Sequence, residues 1–176
     1  MSVLDISQLL QYRYPNLLVK QISKNDIVFE DRVALKCFHC ANYNNKWTCP
    51  PRIPKIDYKR ILDEYENAVV VYCKIEFNKD SFDEVRSSST NIVHRALLFL
   101  ESELYNRNNS LAVSFIGGSC KLCKNGCNKE RCVNPNLSRI PWEATGCNVV
   151  KTLKNIGIEV CFPPNRFLYR FGLFLW

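Results

Sequence analysis

Histidine is nearly absent from this sequence: only His39 and His94 occur among its 176 residues. No Ser–His–Asp arrangement, phosphate-binding glycine loop or dinucleotide-binding fingerprint is visible. The hydrolytic and nucleotide-dependent chemistries that use those motifs therefore have no support in the sequence. We expect His94 to be structural, at the edge of the apolar stripe of a helix, and His39 to face solvent between two cysteines.

Long apolar runs are also missing, and none approaches the length of a membrane span. The first segment, MSVLDISQLLQYRYP, lacks the basic start and small-residue cleavage site of a signal peptide. We therefore expect a cytoplasmic protein that does not bind membranes. The chain is 47% apolar and 23% charged, which is typical of a globular protein, and we predict a single metal-binding domain over residues 1–176.

Cysteine, in contrast, is abundant, with ten residues, and the net charge is +7. In a reducing compartment, cysteine clusters more often bind metal or perform redox chemistry than form disulfides. The positive charge is compatible with nucleic acid, with an acidic partner protein, or with compensation for metal thiolates.

Seven of the cysteines fall in two polar loops. A Cys-x-x-Cys pair begins each group and places two sulfur atoms on one turn, where both can reach a single metal centre. We therefore predict that both loops bind metal or a cofactor cluster. The predicted ligands are Cys37, Cys40 and Cys49 in the first loop and Cys120, Cys123, Cys127 and Cys132 in the second.

The number of thiols leaves the metal and its coordination open. Zinc takes four nitrogen or sulfur ligands, whereas closely spaced runs like the second loop are typical of ferredoxin-type 4Fe–4S sites. Two centres of either kind need eight ligands. Either one centre has an open or non-cysteine position, at the first loop, or only one centre is present. His39 or Cys147 could complete a set, although Cys147 is better explained as a small buried residue, and Cys73 and Cys161 as core residues.

Apolar periodicity predicts an α+β fold, a two-layer α/β sandwich with helices packed on one sheet and the two cysteine-rich loops outside it. The C-terminal segment is expected to be a core or edge strand. The predicted helices are 3–12, 56–68, 81–107 and 141–157, and the predicted strands are 68–77, 111–118, 158–162 and 166–176.

Several other residues have two interpretations each. Glu143 is either a helix-start carboxylate stabilised by the helix dipole, or a hydrogen-bond partner of the loop or an acid–base group. Tyr43 and Trp47 either cover a metal centre or fill the core. Basic residues near the second loop either offset thiolate charge or are simply solvated, and these are Lys121, Lys124, Lys129, Arg131 and Arg139.

Two segments, KCFHCANYNNKWTCPP and GGSCKLCKNGCNKERCVNPNLSRIPWEATGCNVVKT, together resemble the DUF2284 family of small predicted metal-binding proteins of anaerobic bacteria and archaea. The resemblance spans most of the chain. The matching residues are Cys37, Cys40, Tyr43, Trp47, Cys49, Pro50, Pro51, Gly117, Gly118, Cys120, Cys123, Cys127, Cys132, Pro135, Arg139, Pro141, Glu143, Ala144 and Gly146. The sequence departs from the pattern at Asn44, Val133, Ile140 and Cys147, and the last departure argues against Cys147 as a ligand.

The resemblance implies metal binding but no reaction, and the association of the family with anaerobes favours iron–sulfur over zinc. We predict one or two 4Fe–4S clusters and a role in electron transfer with a redox partner protein. The alternatives are an enzyme whose cluster has an open iron, and a zinc-stabilised binding module. Nucleic acid is not expected as a partner, because the basic residues form no stripe interleaved with aromatic residues.

Overall fold

Four antiparallel strands form one sheet, in the order β1-β2-β4-β3, in a computed structural model that describes residues 1–176. The two central strands are the longest, and they pair along their whole length, with Val70 opposite Leu173. The strands are β1 (Leu18–Gln21), β2 (Ala68–Glu76), β3 (Val113–Ile116) and β4 (Phe167–Leu175). The C-terminal segment therefore lies in the middle of the sheet and not at its edge.

Alternate residues of the central strands point to opposite faces of the sheet, and both faces are covered. Val69 and Val71 belong to a buried cluster with helices α1 (Val3–Arg13) and α5 (Ile92–Tyr105). Val70 belongs to a second buried cluster with helix α6 (Val149–Asn155). The predicted α+β class is confirmed, and the addition of α6 on the second face makes the arrangement thicker than the two layers expected.

The helix expected over residues 81–107 is two helices, α4 (Phe82–Ser88) and α5. At the break, the Ser89 hydroxyl donates to the Val85 carbonyl at 2.6 Å, and the Thr90 hydroxyl donates to the Arg86 carbonyl at 2.8 Å. Side-chain hydroxyls that bond to carbonyls in this way compete with the helical hydrogen-bond ladder.

The helix expected over residues 141–157 is also interrupted. Residues Trp142–Thr145 form a 3-10 turn, which ends at Gly146 with a left-handed φ of 89°. Asn148 then caps α6, because its side chain accepts the N–H of Lys151. The polypeptide therefore changes direction between the turn that carries Glu143 and the helix that follows.

Three further differences concern short elements. The predicted helix over 56–68 is only α3 (Tyr58–Ile61) followed by a 3-10 turn to Glu64, and the predicted strand over 158–162 is not formed. Helix α2 (Asp31–Phe38), which the sequence did not predict, carries Cys37 on its last turn. No helix in the structure combines the length and apolar character needed to cross a membrane.

Candidate metal centre

The three cysteines of the first loop line one cavity. Cys37 ends α2, and tight turns follow, with the Cys40 N–H donating to the Cys37 carbonyl at 3.1 Å and the Asn44 N–H donating to the Pro50 carbonyl at 2.8 Å. This folding brings Cys49 back towards the CxxC pair. The cavity has a volume of about 220 Å³, and Tyr43 also lines it.

The opposite wall of this cavity comes from the second cysteine motif and from Glu143. Both carboxylate oxygens of Glu143 accept the Gly118 N–H, at 3.2 and 3.1 Å. The Cys37 thiol lies 3.9 Å from the Glu143 main-chain carbonyl, to which it donates. Of the sequence interpretations of Glu143, hydrogen bonding to the loop backbone is therefore the one observed, and the residue lines the same cavity as the three cysteines.

The second loop begins directly after β3, and its first cysteine is embedded in the core. Cys120 is buried within the cluster that covers one face of the sheet, while the other three cysteines are half-buried. The Asn134 side-chain amide donates to the Cys123 sulfur at 3.3 Å. The Cys132 thiol donates to the Ser138 hydroxyl at 3.7 Å.

Two side chains join the loops to each other. The Lys46 ammonium donates to the Cys120 carbonyl, and the Trp47 indole N–H donates to the Asn128 carbonyl at 2.7 Å. The Arg52 guanidinium stacks on the Trp47 ring, 4.2 Å from its centroid. Trp47 therefore neither fills the core nor covers the cavity, but links the two cysteine groups. The contribution of Lys46 was not predicted, because nothing in its local sequence indicates a partner more than seventy residues away.

Burial and mutual repulsion disfavour thiolates at these positions. Burial raises the pKa of Cys49 to about 11, and the Lys46 ammonium offsets part of the rise. The pKa values of Cys37 and Cys120 are also raised, first by burial and then in part by the neighbouring thiols. A bound metal cation would reverse this balance, because a coordinating thiol is deprotonated.

The end of the second loop is held by helix α5. Arg139, which the sequence offered as a charge partner of thiolates, instead forms a partly buried ion pair with Glu101, with Nε 2.8 Å from Oε1. The buried His94 ring donates through Nε2 to the Leu137 carbonyl at 2.8 Å. The expectation that His94 is structural fits this contact, and His39 is exposed, as expected.

The three cysteines outside the loops behave differently from one another. Cys73 is buried on β2, as predicted. Cys147 is fully buried, lies 3.4 Å from the Thr152 hydroxyl, and has a pKa raised by burial to about 12. The prediction that Cys161 is a core residue is wrong, because the strand expected there is not formed and the residue is exposed.

No three His, Cys, Asp or Glu side chains are close enough together to hold a metal ion in this structure. The donor set nonetheless fits a metal cofactor. Glu143 lies in the cavity with three thiols, burial raises its pKa, and it takes part in none of the six ion pairs of the structure. Glu143 is half-buried, and carboxylates withdrawn from water are normally paired or coordinate metals. No Lys, Arg or His lines this cavity, although Arg32 and Lys36 line the neighbouring cavity that Glu143 shares.

Comparison with known proteins gives one match. No curated protein and no solved structure matches this chain. A family model described as a predicted metal-binding protein matches residues 20–176, which include both cysteine loops, the cavity and Glu143. The chain therefore belongs to the DUF2284 family of predicted metal-binding proteins.

Proposed function

We propose that this protein binds 4Fe–4S clusters at its two cysteine groups and transfers electrons. The observation that carries the proposal is the cavity on which Cys37, Cys40 and Cys49 meet. Cys37 and Cys40 share one turn at the end of α2, and the turns that follow bring Cys49 back to the same cavity. The second group of four cysteines begins two residues beyond Gly118, which forms part of the wall of the same cavity.

The cavity and its surroundings favour a cluster over a zinc ion. Its volume of about 220 Å³ is about seven times the roughly 30 Å³ that one water occupies in the liquid, so it has room for a group larger than one ion. Side-chain amides also point at sulfur, from Asn134 to Cys123 at 3.3 Å and from Asn42 to Cys40 at 3.5 Å. Hydrogen bonds to the sulfur ligands are one of the means by which proteins tune cluster potentials.

Electron transfer is favoured by the proximity of the two groups and by the charge around them. Lys46 and Trp47 hold the loops in contact, so a cluster in one loop would neighbour a cluster in the other. Cys40 is exposed, which would give a partner access to the first centre. Lys121, Arg86 and Arg170 take part in none of the ion pairs, and their shared positive field would attract an acidic redox partner.

The second candidate is an enzyme that uses a cluster with one distinct iron. It is favoured by the number of thiols in the cavity, which is three, while a 4Fe–4S cluster has four irons. When bound, such a cluster supplies Lewis acidity at the iron that lacks a thiolate. The contribution of this chain would be the shape of the cavity and the phenol of Tyr43 on its wall.

Anaerobic purification with metal analysis tests the proposal. We expect a brown protein with about eight irons and eight sulfides per chain, as two 4Fe–4S clusters require. Cys49→Ala should lose about half of the iron, and Cys123→Ala the other half, because each removes a ligand from a different group. Cys161→Ala, which removes an exposed thiol outside both groups, is the matched control and should keep the full content. A colourless protein with stoichiometric zinc would overturn the iron–sulfur assignment.

A further inference from the structure

The position of Glu143 is fixed from two sides. The 3-10 turn that carries it is anchored by Trp142, whose side chain is only 1% exposed. Its carboxylate is held by the Gly118 N–H, and Gly118 adopts a left-handed φ of 73° that favours glycine. The buried Trp142 and the glycine turn at Gly118 therefore hold Glu143 on the wall of the cavity.

The wall of this cavity carries acidic groups but no basic one, while Arg32 and Lys36 line the neighbouring cavity that Cys37, Cys40 and Glu143 share. A carboxylate and three potential thiolates share this small volume, and the lining contains no basic side chain. One main-chain N–H offsets only part of the cost of burying a charged carboxylate. A cation bound in this cavity would offset the charge of the carboxylate and of any thiolate on its wall.

The number of protein ligands that two clusters need also indicates Glu143. Two clusters need eight protein ligands, and the two loops contain seven cysteines. Cys147 and His39 are the other nearby donors that the sequence offered. Cys147 bonds to Thr152 inside the core, and His39 is exposed after the end of α2 with its ring edge-on to Phe38. Neither of them lines the cavity, whereas Glu143 does.

We propose that the carboxylate of Glu143 is the eighth protein ligand and binds the iron that Cys37, Cys40 and Cys49 leave without a thiolate. This assignment rests on the proposed iron–sulfur function and refines it. The fourth position of the first centre is then filled by oxygen. A hard carboxylate is a poorer match for this site than a soft thiolate, so this ligand is the one that a small substrate or an added thiol would displace.

The test compares four proteins purified without oxygen: the natural chain, Glu143→Gln, Glu143→Cys and Glu130→Gln. Glu130 is the matched control, because it is an exposed glutamate in the second loop that takes part in none of the ion pairs. Each protein is labelled isotopically at its glutamate carboxylate carbons. The readouts are iron content and pulsed EPR of the reduced clusters, which detects labelled carbon bonded close to iron.

We expect full iron content and a carboxylate coupling in the natural chain and in Glu130→Gln. The coupling should vanish in Glu143→Gln. Glu143→Cys should keep the iron, lose the coupling and show a changed EPR spectrum, because a thiolate replaces the carboxylate. Glu143→Cys also decides the result if Glu143→Gln fails to assemble its cluster.

The outcomes separate the two proposals. A natural chain with about eight irons but no carboxylate coupling would overturn the assignment of Glu143 and leave the iron–sulfur function intact. Persistence of the coupling in Glu143→Cys would overturn it as well, since another glutamate would then be the ligand. A natural chain without iron would overturn the function itself, and the ligand assignment with it.

Discussion

Gly117 lies where strand β3 meets the second cysteine loop, and its place there has no room for a side chain. A methyl group at this position would lie 2.5 Å from the Phe171 carbonyl oxygen and 2.7 Å from the Phe171 ring. The Gly117 N–H donates to the same carbonyl at 2.8 Å. The close contact between the backbones of Gly117 and Phe171 thus sets where the loop leaves the sheet.

Gly117→Ala is expected to lower the free energy of unfolding by about 1–3 kcal/mol, the usual cost of overpacking. The cost arises because the backbone atoms of Phe171 must move. Urea denaturation measures the change, with Asn125→Ala, at an exposed position of the same loop, as the control that should change stability by less than about 0.5 kcal/mol. Equal stability of the two variants would show that the contact is not tight.

His94 makes stability depend on pH. Burial lowers its pKa below the ordinary value of 6.5, so the folded protein binds a proton less readily than the unfolded chain. The depressed pKa therefore favours the neutral folded form above about pH 6.5, and stability is lost as pH falls below that value. Arg139 also lowers the pKa, while Glu101 opposes the shift.

His94→Gln should remove the loss of folding stability between about pH 7 and pH 5, the range around the ordinary histidine pKa. The glutamine amide can still donate to the Leu137 carbonyl but does not titrate. Denaturation midpoints at several pH values measure the slope for each protein. His39→Gln, at the exposed second histidine, should keep the natural slope. The same slope in all three proteins would show that His94 does not titrate in this range.

At the scale of elements, helix α5 acts as the anchor of the second cysteine loop. Glu101 on α5 accepts from Arg139 at the end of the loop, and its carboxylate also accepts from the Ser114 hydroxyl on β3. The charged groups are only 19% and 14% exposed. The helix, the strand and the loop are thereby joined at a single carboxylate.

Arg139→Met is expected to destabilise the protein by about 3 kcal/mol, because it leaves Glu101 partly buried without its partner. A double-mutant cycle with Glu101→Gln measures the coupling in denaturation experiments. The control cycle uses Glu103 on α5 and Arg107 just beyond its C-terminal end, a more exposed pair for which about 0.5 kcal/mol is expected. Equal coupling in the two cycles would contradict the anchoring role of Arg139.

At the scale of the whole molecule, the sheet and the cysteine loops differ in what stabilises them. Two buried clusters, of 15 and 14 residues, cover the two faces of the sheet. Only Cys120 and Leu122 of the second loop contact these clusters, and the rest of that loop is polar. We therefore expect a bound metal to contribute to the order of the loops more than to that of the sheet.

Removal of metal by an anaerobic chelator should release the loops and leave the sheet folded. In hydrogen exchange, amides of β2 and β4 are expected to keep their protection, and amides over residues 37–54 and 118–139 should exchange much faster. The metal-loaded protein is the reference. Loss of protection across β2 and β4 at the same time would show that the metal sites and the sheet unfold together.

Local sequence patterns predicted much of this fold. Continuous β-branched residues identified β2, and the aromatic and aliphatic run at the C-terminus identified β4 as a strand. The errors occurred where tertiary contacts override periodicity. The apolar stripe continues across Ser89 and Thr90, yet their hydroxyls break the helix there, and Arg170 on β4 donates to the Ser89 hydroxyl at 3.1 Å. A periodic pattern in the sequence carries no information about a hydrogen-bond partner 81 residues away.

The sequence by itself identified the candidate sulfur ligands, because cysteine spacing, charge and the Gly117-Gly118 pair are local properties of the chain. Only the tertiary structure decided how these donors are combined. It placed Glu143 on the cavity of Cys37 and Cys40, and it brought Lys46 to the Cys120 carbonyl. These contacts join residues separated by 74 or more positions, and local preference carries no information about partners so distant in the chain.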